Sequence, residues 1–347
     1  MKKTFYSILS KTYKKNNLWN YYNASHEFGK DLPVKTEQLS KDFLKNFIKI
    51  SGKAEQTLYK QIDDIGVRST HVVSTFLIGH YVYQNTILKE LIDKEIGEIK
   101  KQFCISADVE FTYLWFLTCL FHDLGYNIEN SLPVYSDYND LKQKTGELVE
   151  IIGIPPFYQD IVKNYFEYRL KCCNKNDHGI VAGHMLFKDL CGIRELADAN
   201  RDEQEFNWSI ELNHIYNFCA WNIVAHNIWY ANTEKESDIK KYEEAGLSDL
   251  ILEKIEDNIQ YQIKAKVNPF LFLFCLVDTL EPYKRLTNIS LLKKVSLEIC
   301  NEKSTIVIST NLKCAFSDVI FEQAKGLNNW LTSSKSVGNK VEIKLAC

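Results

Sequence analysis

No apolar run in this sequence is long enough to span a membrane. The two longest, YLWFLTCLF (113–121) and PFLFLFCLV (269–277), hold nine residues each. That is about half of the roughly 20 that a bilayer requires, so they read as buried core helices. Proline is scarce, six in 347 residues, and falls chiefly in LPV (32–34), LPVY (132–135) and IPPF (154–157). Long stretches are therefore left without a helix breaker. The ten cysteines include no CxxC pair, and Cys172 and Cys173 are adjacent. A disulfide framework and a thiolate zinc knuckle are both poor fits; reduced thiols in a cytoplasmic protein fit better. Basic residues, 42 against 45 acidic, show no excess and no stripe, which argues against a nucleic-acid partner. The N-terminal MKKTFYSILSKTYKKNN is basic, but Ser, Lys and Thr break its apolar segment and no small-residue cleavage site follows. No signal peptide is expected, and no 20–50 residue repeat is visible.

What is present is mostly helix. Apolar residues recur at three- and four-residue spacing in LSKDFLKNFIKI (39–50), HVVSTFLIGHYVYQNTILKELI (71–92) and DLILEKIEDNIQYQI (249–263). Near residue 291 the texture changes. KKVSLEIC and STIVISTNL alternate and carry β-branched residues, with a turn at Asn301-Glu302-Lys303 between them. A helical FSDVIFEQAKGLNNWL (316–331) and a strand-like KVEIKLA (340–346) follow. The expected architecture is mostly α: a helical N-terminal extension over 1–64, a helical bundle over 65–290, and a small β-β-α-β extension over 291–347.

Ligand-type residues interrupt the apolar helices at their ends. FHDLGYN (121–127) places His122 and Asp123 directly after one of the two longest apolar runs. Alone, such a pair means little. His71 lies in the long amphipathic stretch that follows Arg68, His178 opens DHGIVAGHMLFKDL, His226 closes HIYNFCAWNIVAHN, and Asp278 ends PFLFLFCLV. Imidazoles and carboxylates at the ends of buried helices converge inside a bundle. Two divalent ions sharing a carboxylate need about six such donors and sit roughly 3.5–4 Å apart. Asp177 is placed to cap the helix that His178 begins. His80 and His184 lie too far along their helices to share an ion with His71 or His178 and read as structural. His26 and His214 have no supporting context.

The set His71, His122-Asp123, His178, His226 and Asp278, in that order, resembles the HD superfamily of metal-dependent phosphohydrolases, over roughly residues 65–290. HGIVAG (178–183) is similar to the family's His-Gly-x-x-Gly-small motif. DTLEPYKR (278–285) is similar to the Asp-x-x-Glu-Pro-x-Arg ending of its symmetrical dinucleotide hydrolases. Three departures stand beside the match. Tyr126 occupies the place where those hydrolases carry Lys. The Gly-Tyr-Pro motif and paired His of the cyclic-dinucleotide branch are absent. The intervals between ligands are longer than in compact members.

The resemblance implies an HD-type bundle holding two divalent metal ions. His71, His122, Asp123 and Asp278 would hold the first; Asp123, as a bridge, with His178 and His226 would hold the second. Asp123 and His122 are the expected catalytic centre. Iron or manganese suits a His/carboxylate set without thiolate, with magnesium, nickel and zinc as alternatives. The implied substrate is phosphorylated and of nucleotide or dinucleotide type. Arg68, Lys284 and Arg285 are candidate phosphate clamps, and Asn127 and Asn227 are candidates for contacting substrate or orienting a ligand. Trp229 and Tyr230 could stack a base, although aromatics there are more often core. A nucleotide sensor without turnover and a single-strand nuclease are the other function classes the residues leave open, as is a homo-oligomer.

Overall fold

The computed structural model describes residues 2–13, 65–106, 109–129, 134–146, 157–199, 210–228, 236–250, 263–282, 292–310, 322–324, 326–327, 330–332 and 334–345. The chain is mostly helical with a small antiparallel sheet dominated by its C-terminal end, in agreement with the sequence pattern. No described helix is long and apolar enough to cross a membrane. The expected helix over 39–50 lies outside the described residues, as does most of 1–64.

The chain divides into two compact units. The first comprises Met1–Leu18, Gly66–Glu95 and His226–Cys347. It carries β1 (Lys2–Thr4), α1 (Phe5–Tyr13), α2 (Ile65–Asn85) from Gly66 on, and the start of α3 (Leu88–Gln102). Its five strands run in the order β1-β2-β3-β5-β4, all antiparallel, with β2 at Val295–Cys300, β3 at Thr305–Thr310, β4 at Ser334–Val337 and β5 at Lys340–Lys344. Leu297 pairs with Ile308, which pairs with Val341, and Ile299–Ile306–Ile343 forms the next row. Because side chains alternate along a strand, both rows share one face, and all six residues are buried. Two strands go beyond the β-β-α-β expectation. β4 is polar and joins β5 through Gly338-Asn339, with Gly338 at φ 60° supplying the left-handed turn. β1 comes from the opposite end of the sequence and pairs Lys3 with Leu297.

Also in this unit are α10 (Glu236–Glu244) and α11 (Pro269–Leu280); between α3 and α10 the chain runs through α4 (Phe111–Phe121), α5 (Tyr126–Glu129), α6 (Tyr138–Thr145), α7 (Phe157–Cys173), α8 (His178–Ala199) and α9 (Leu212–Ala225). Proline starts α11, where its missing N–H costs nothing. The next backbone N–H, of Phe270, donates to the Glu95 carboxylate at 3.0 Å, so an acidic side chain meets the positive helix end. All of α11 except Asp278 and Thr279 is buried.

The second unit, Trp19–Ile65 and Ile96–Ala225, contains the rest of α3 and α4 to α9. Every residue of α4 is buried, as its uncharged sequence FTYLWFLTCLF demands. It packs on α9, which packs closely on α8. A Cβ at Gly183 would lie 2.5 Å from the Ala220 carbonyl oxygen, so glycine sets the distance between α8 and α9.

His184, on α8, fastens α6. Its ring lies 3.3 Å from the Tyr138 hydroxyl and 3.4 Å from the Thr145 hydroxyl. Burial pushes its pKa down from 6.5 to about 4, against a backbone hydrogen bond at Gly146 that works upward. A lowered histidine stabilises the fold above the unfolded value, and the contribution drains away as pH falls from 6.5 towards 4. The loss amounts to about 2–3 kcal/mol between pH 7 and pH 4.5. Urea unfolding at both pH values should show a clearly shallower acid loss in His184→Gln. Equal losses in the two proteins would remove His184 as the cause.

Candidate metal centre

FHDLGYN becomes a corner. Helix α4 ends at Phe121, and His122 caps it, its N–H bonded to the Thr118 carbonyl at 3.1 Å. Tyr126 N–H donates to the Asp123 carbonyl at 3.1 Å and Glu129 N–H to the Gly125 carbonyl at 2.9 Å, so the chain turns straight into α5. The His122 ring is fully buried and the Asp123 side chain nearly so, with Nε2 3.2 Å from Oδ1. His122 Nδ1 is 2.8 Å from the Cys119 carbonyl oxygen. A carbonyl only accepts, which assigns a proton to Nδ1.

His178 starts α8 behind Asp177, whose carboxylate accepts from Ile180 N–H at 2.9 Å as an N-cap. Three features of the Gly125–Glu129 segment hold this histidine. The Tyr126 ring stacks on it at 3.7 Å and 15°. Glu129 Oε2 accepts from its Nδ1 at 3.0 Å. Gly125 lies so close that a Cβ there would sit 2.0 Å from the His178 carbonyl oxygen. The other oxygen of Glu129 takes the Arg169 guanidinium, from α7. Burial works to raise the Glu129 carboxyl, but the His178 hydrogen bond and the Arg169 charge outweigh it and hold it below the ordinary range.

The first unit repeats the pattern. His71, on α2, is buried, with Nδ1 2.6 Å from Glu281 Oε2 and Nε2 3.1 Å from Asp278 Oδ1. Ser74, one turn along α2, donates to the other Glu281 oxygen. His226 follows α9 and is buried, its carbonyl accepting from Cys275 Sγ at 3.5 Å and its ring 5.1 Å from Phe274. Within the first unit ligand atoms of His71 and Asp278 lie within 4.8 Å of each other, and within the second those of Asp123 and His178 do. Imidazole beside carboxylate, without thiolate, is in each unit a pairing that could hold a divalent ion.

The remaining candidates are placed less closely. Asn227 is half-buried beside His226. Arg68 and Asn127 lie in α2 and α5, with side chains outside the described set, and Lys284, Arg285, Trp229 and Tyr230 fall outside the described residues altogether. His80 is half-buried near Phe76 and Tyr83, and His214 stacks on Phe103 at 3.7 Å. The described cysteines are all free thiols. Sequence reasoning gave no role to Glu129, Arg169, Ser74 or Glu281. Of these, Glu281 alone carried a signal, three residues after Asp278.

The chain was compared with protein-family models, curated proteins and solved structures, and none matches.

Proposed function

We propose that the chain is a cytoplasmic metal-dependent phosphohydrolase of HD type, acting on a nucleotide or dinucleotide phosphoester or phosphoanhydride. His71, His122 and Asp278 would hold one divalent ion, His178 and His226 a second, and Asp123 would bridge the two. Iron or manganese is the cofactor the donor set favours. Ions held there supply Lewis-acid stabilisation of phosphoryl charge and activation of water.

The observation that carries the reading is the state of three histidines. His71, His122 and His178 each commit Nδ1 to a protein oxygen, at 2.6, 2.8 and 3.0 Å. Each is thereby held in the tautomer whose Nε2 can bind a metal, an arrangement typical of metal-ligating histidine. In His71 and His122 the Nε2 faces a carboxylate, Asp278 at 3.1 Å and Asp123 at 3.2 Å, with which it could share a cation. The candidate clamps Arg68, Lys284 and Arg285 would neutralise the outer phosphate oxygens, a task suited to fixed positive charge. No basic surface is needed for a small substrate, which agrees with a net charge of −3.

The test is metal analysis of the purified chain with hydrolysis of a nucleotide and dinucleotide panel in manganese or iron. The expected result is two ions per chain and release of a phosphorylated product. No bound metal, and no phosphatase activity with any divalent ion, would overturn the reading. Tight nucleotide binding without turnover by the metal-loaded protein would replace the hydrolase with a sensor.

A further inference from the structure

We propose that Glu129, clamped by Arg169, is a positioning residue that sets the His178 imidazole for metal binding; this rests on the metal-site reading above. A carboxylate beside a histidine can swing, and a swinging partner orients nothing. Glu129 is buried and engaged at both oxygens, Oε2 by His178 Nδ1 at 3.0 Å and Oε1 by the Arg169 guanidinium. Arg169 in turn lies with Nε 3.9 Å from the carboxylate of Asp177, the residue that caps α8 immediately before His178. The relay therefore closes on itself: α7 supplies Arg169, α5 supplies Glu129, and both reach the first turn of α8.

Glu281 gives an internal comparison. It too is buried, with one oxygen on a candidate ligand, His71, and the other on a second donor, Ser74. Donor–glutamate–histidine thus occurs twice, with different donors in the first place, Arg169 and Ser74. A packing accident would not be expected to choose a metal-type histidine both times. The difference lies in the clamp, a cation for Glu129 and a hydroxyl for Glu281.

Outer partners of ligating histidines typically change metal affinity by about 10–100-fold when removed. Glu129→Gln should weaken one of the two manganese sites by about that factor in calorimetric titration and leave the other near wild type. The same variant should alter the visible absorption of the cobalt-loaded protein, which reports ligand geometry, and Arg169→Lys, which keeps the charge, should partly preserve both. Glu129→Gln leaves Arg169 beside a neutral amide, so the double variant Glu129→Gln/Arg169→Met serves as the charge-balanced form and should show the same weakening. If wild type binds no metal, the functional reading fails first. If wild type binds two ions, and folded Glu129→Gln and double variants match its affinities and cobalt spectrum, the positioning role is wrong. Failure of both variants to fold would assign the trio to the fold and equally overturn it.

Discussion

Asp123→Ala is expected to lose at least one bound ion and to hydrolyse the nucleotide panel more than about 10³-fold more slowly than wild type. Removing a single transition-state donor from an enzyme costs about 10²–10³. Asp123 is asked to do more, since it sits beside His122 in sequence and groups with His178 in space. A carboxylate has two anionic oxygens and can serve two ions at once, which an imidazole cannot. The isosteric Asp123→Asn separates charge from shape. An amide keeps one acceptor and replaces the other with an NH₂ donor, so it too should lose an ion while the apo-protein melts within a few degrees of wild type. The readouts are metal content by mass spectrometry and turnover at saturating manganese. Two ions retained in Asp123→Ala, with activity within tenfold of wild type, would rule out a bridge at this position.

The candidate ligands were legible because they are conspicuous. His122, His226 and Asp278 sit at the ends of helices that are almost wholly buried, where a polar side chain needs a reason. Glu129 is inconspicuous by the same standard. A glutamate in a polar stretch is ordinary, and its partners stand 40 and 49 positions away, so nothing local marks it. Ser74 is hidden likewise, 207 positions from Glu281. The sheet divides along the same line. Alternation in β2 and β5 announces strands with one buried face, while β3 between them is buried throughout, and Asn301-Glu302-Lys303 makes the turn expected between β2 and β3 with all three residues at positive φ. β1 is Lys-Lys-Thr, too short to alternate, and exists because Lys2–Thr4 pairs with Ser296–Glu298. Local pattern reveals which residues are out of place in their own segment; partners chosen by the fold from hundreds of positions away leave no such mark.

Gly125→Ala should be the most damaging glycine-to-alanine change among the described glycines. The added Cβ would meet the His178 carbonyl oxygen at 2.0 Å and the carbonyl carbon at 2.6 Å. Both are backbone atoms at the start of α8, so no side chain can rotate away; either the 122–125 corner or the helix start has to move. Overpacking ordinarily costs about 1–3 kcal/mol, and a clash confined to backbone belongs at the upper end or beyond. The consequence reaches the site because the same short segment carries Tyr126, stacked on His178, and Glu129, bonded to its Nδ1. Displacing the corner shifts three supports of one ligand together, while His71 Nε2 and Asp278 Oδ1, 3.1 Å apart, are untouched. Gly125→Ala should therefore lower the urea midpoint and weaken one manganese site by at least about the 10–100-fold that loss of a single outer partner produces. Equilibrium unfolding and manganese titration check the two halves separately. A variant as stable as wild type with both sites intact would show that the 122–125 corner and the α8 start do not meet as closely as 2.0 Å requires.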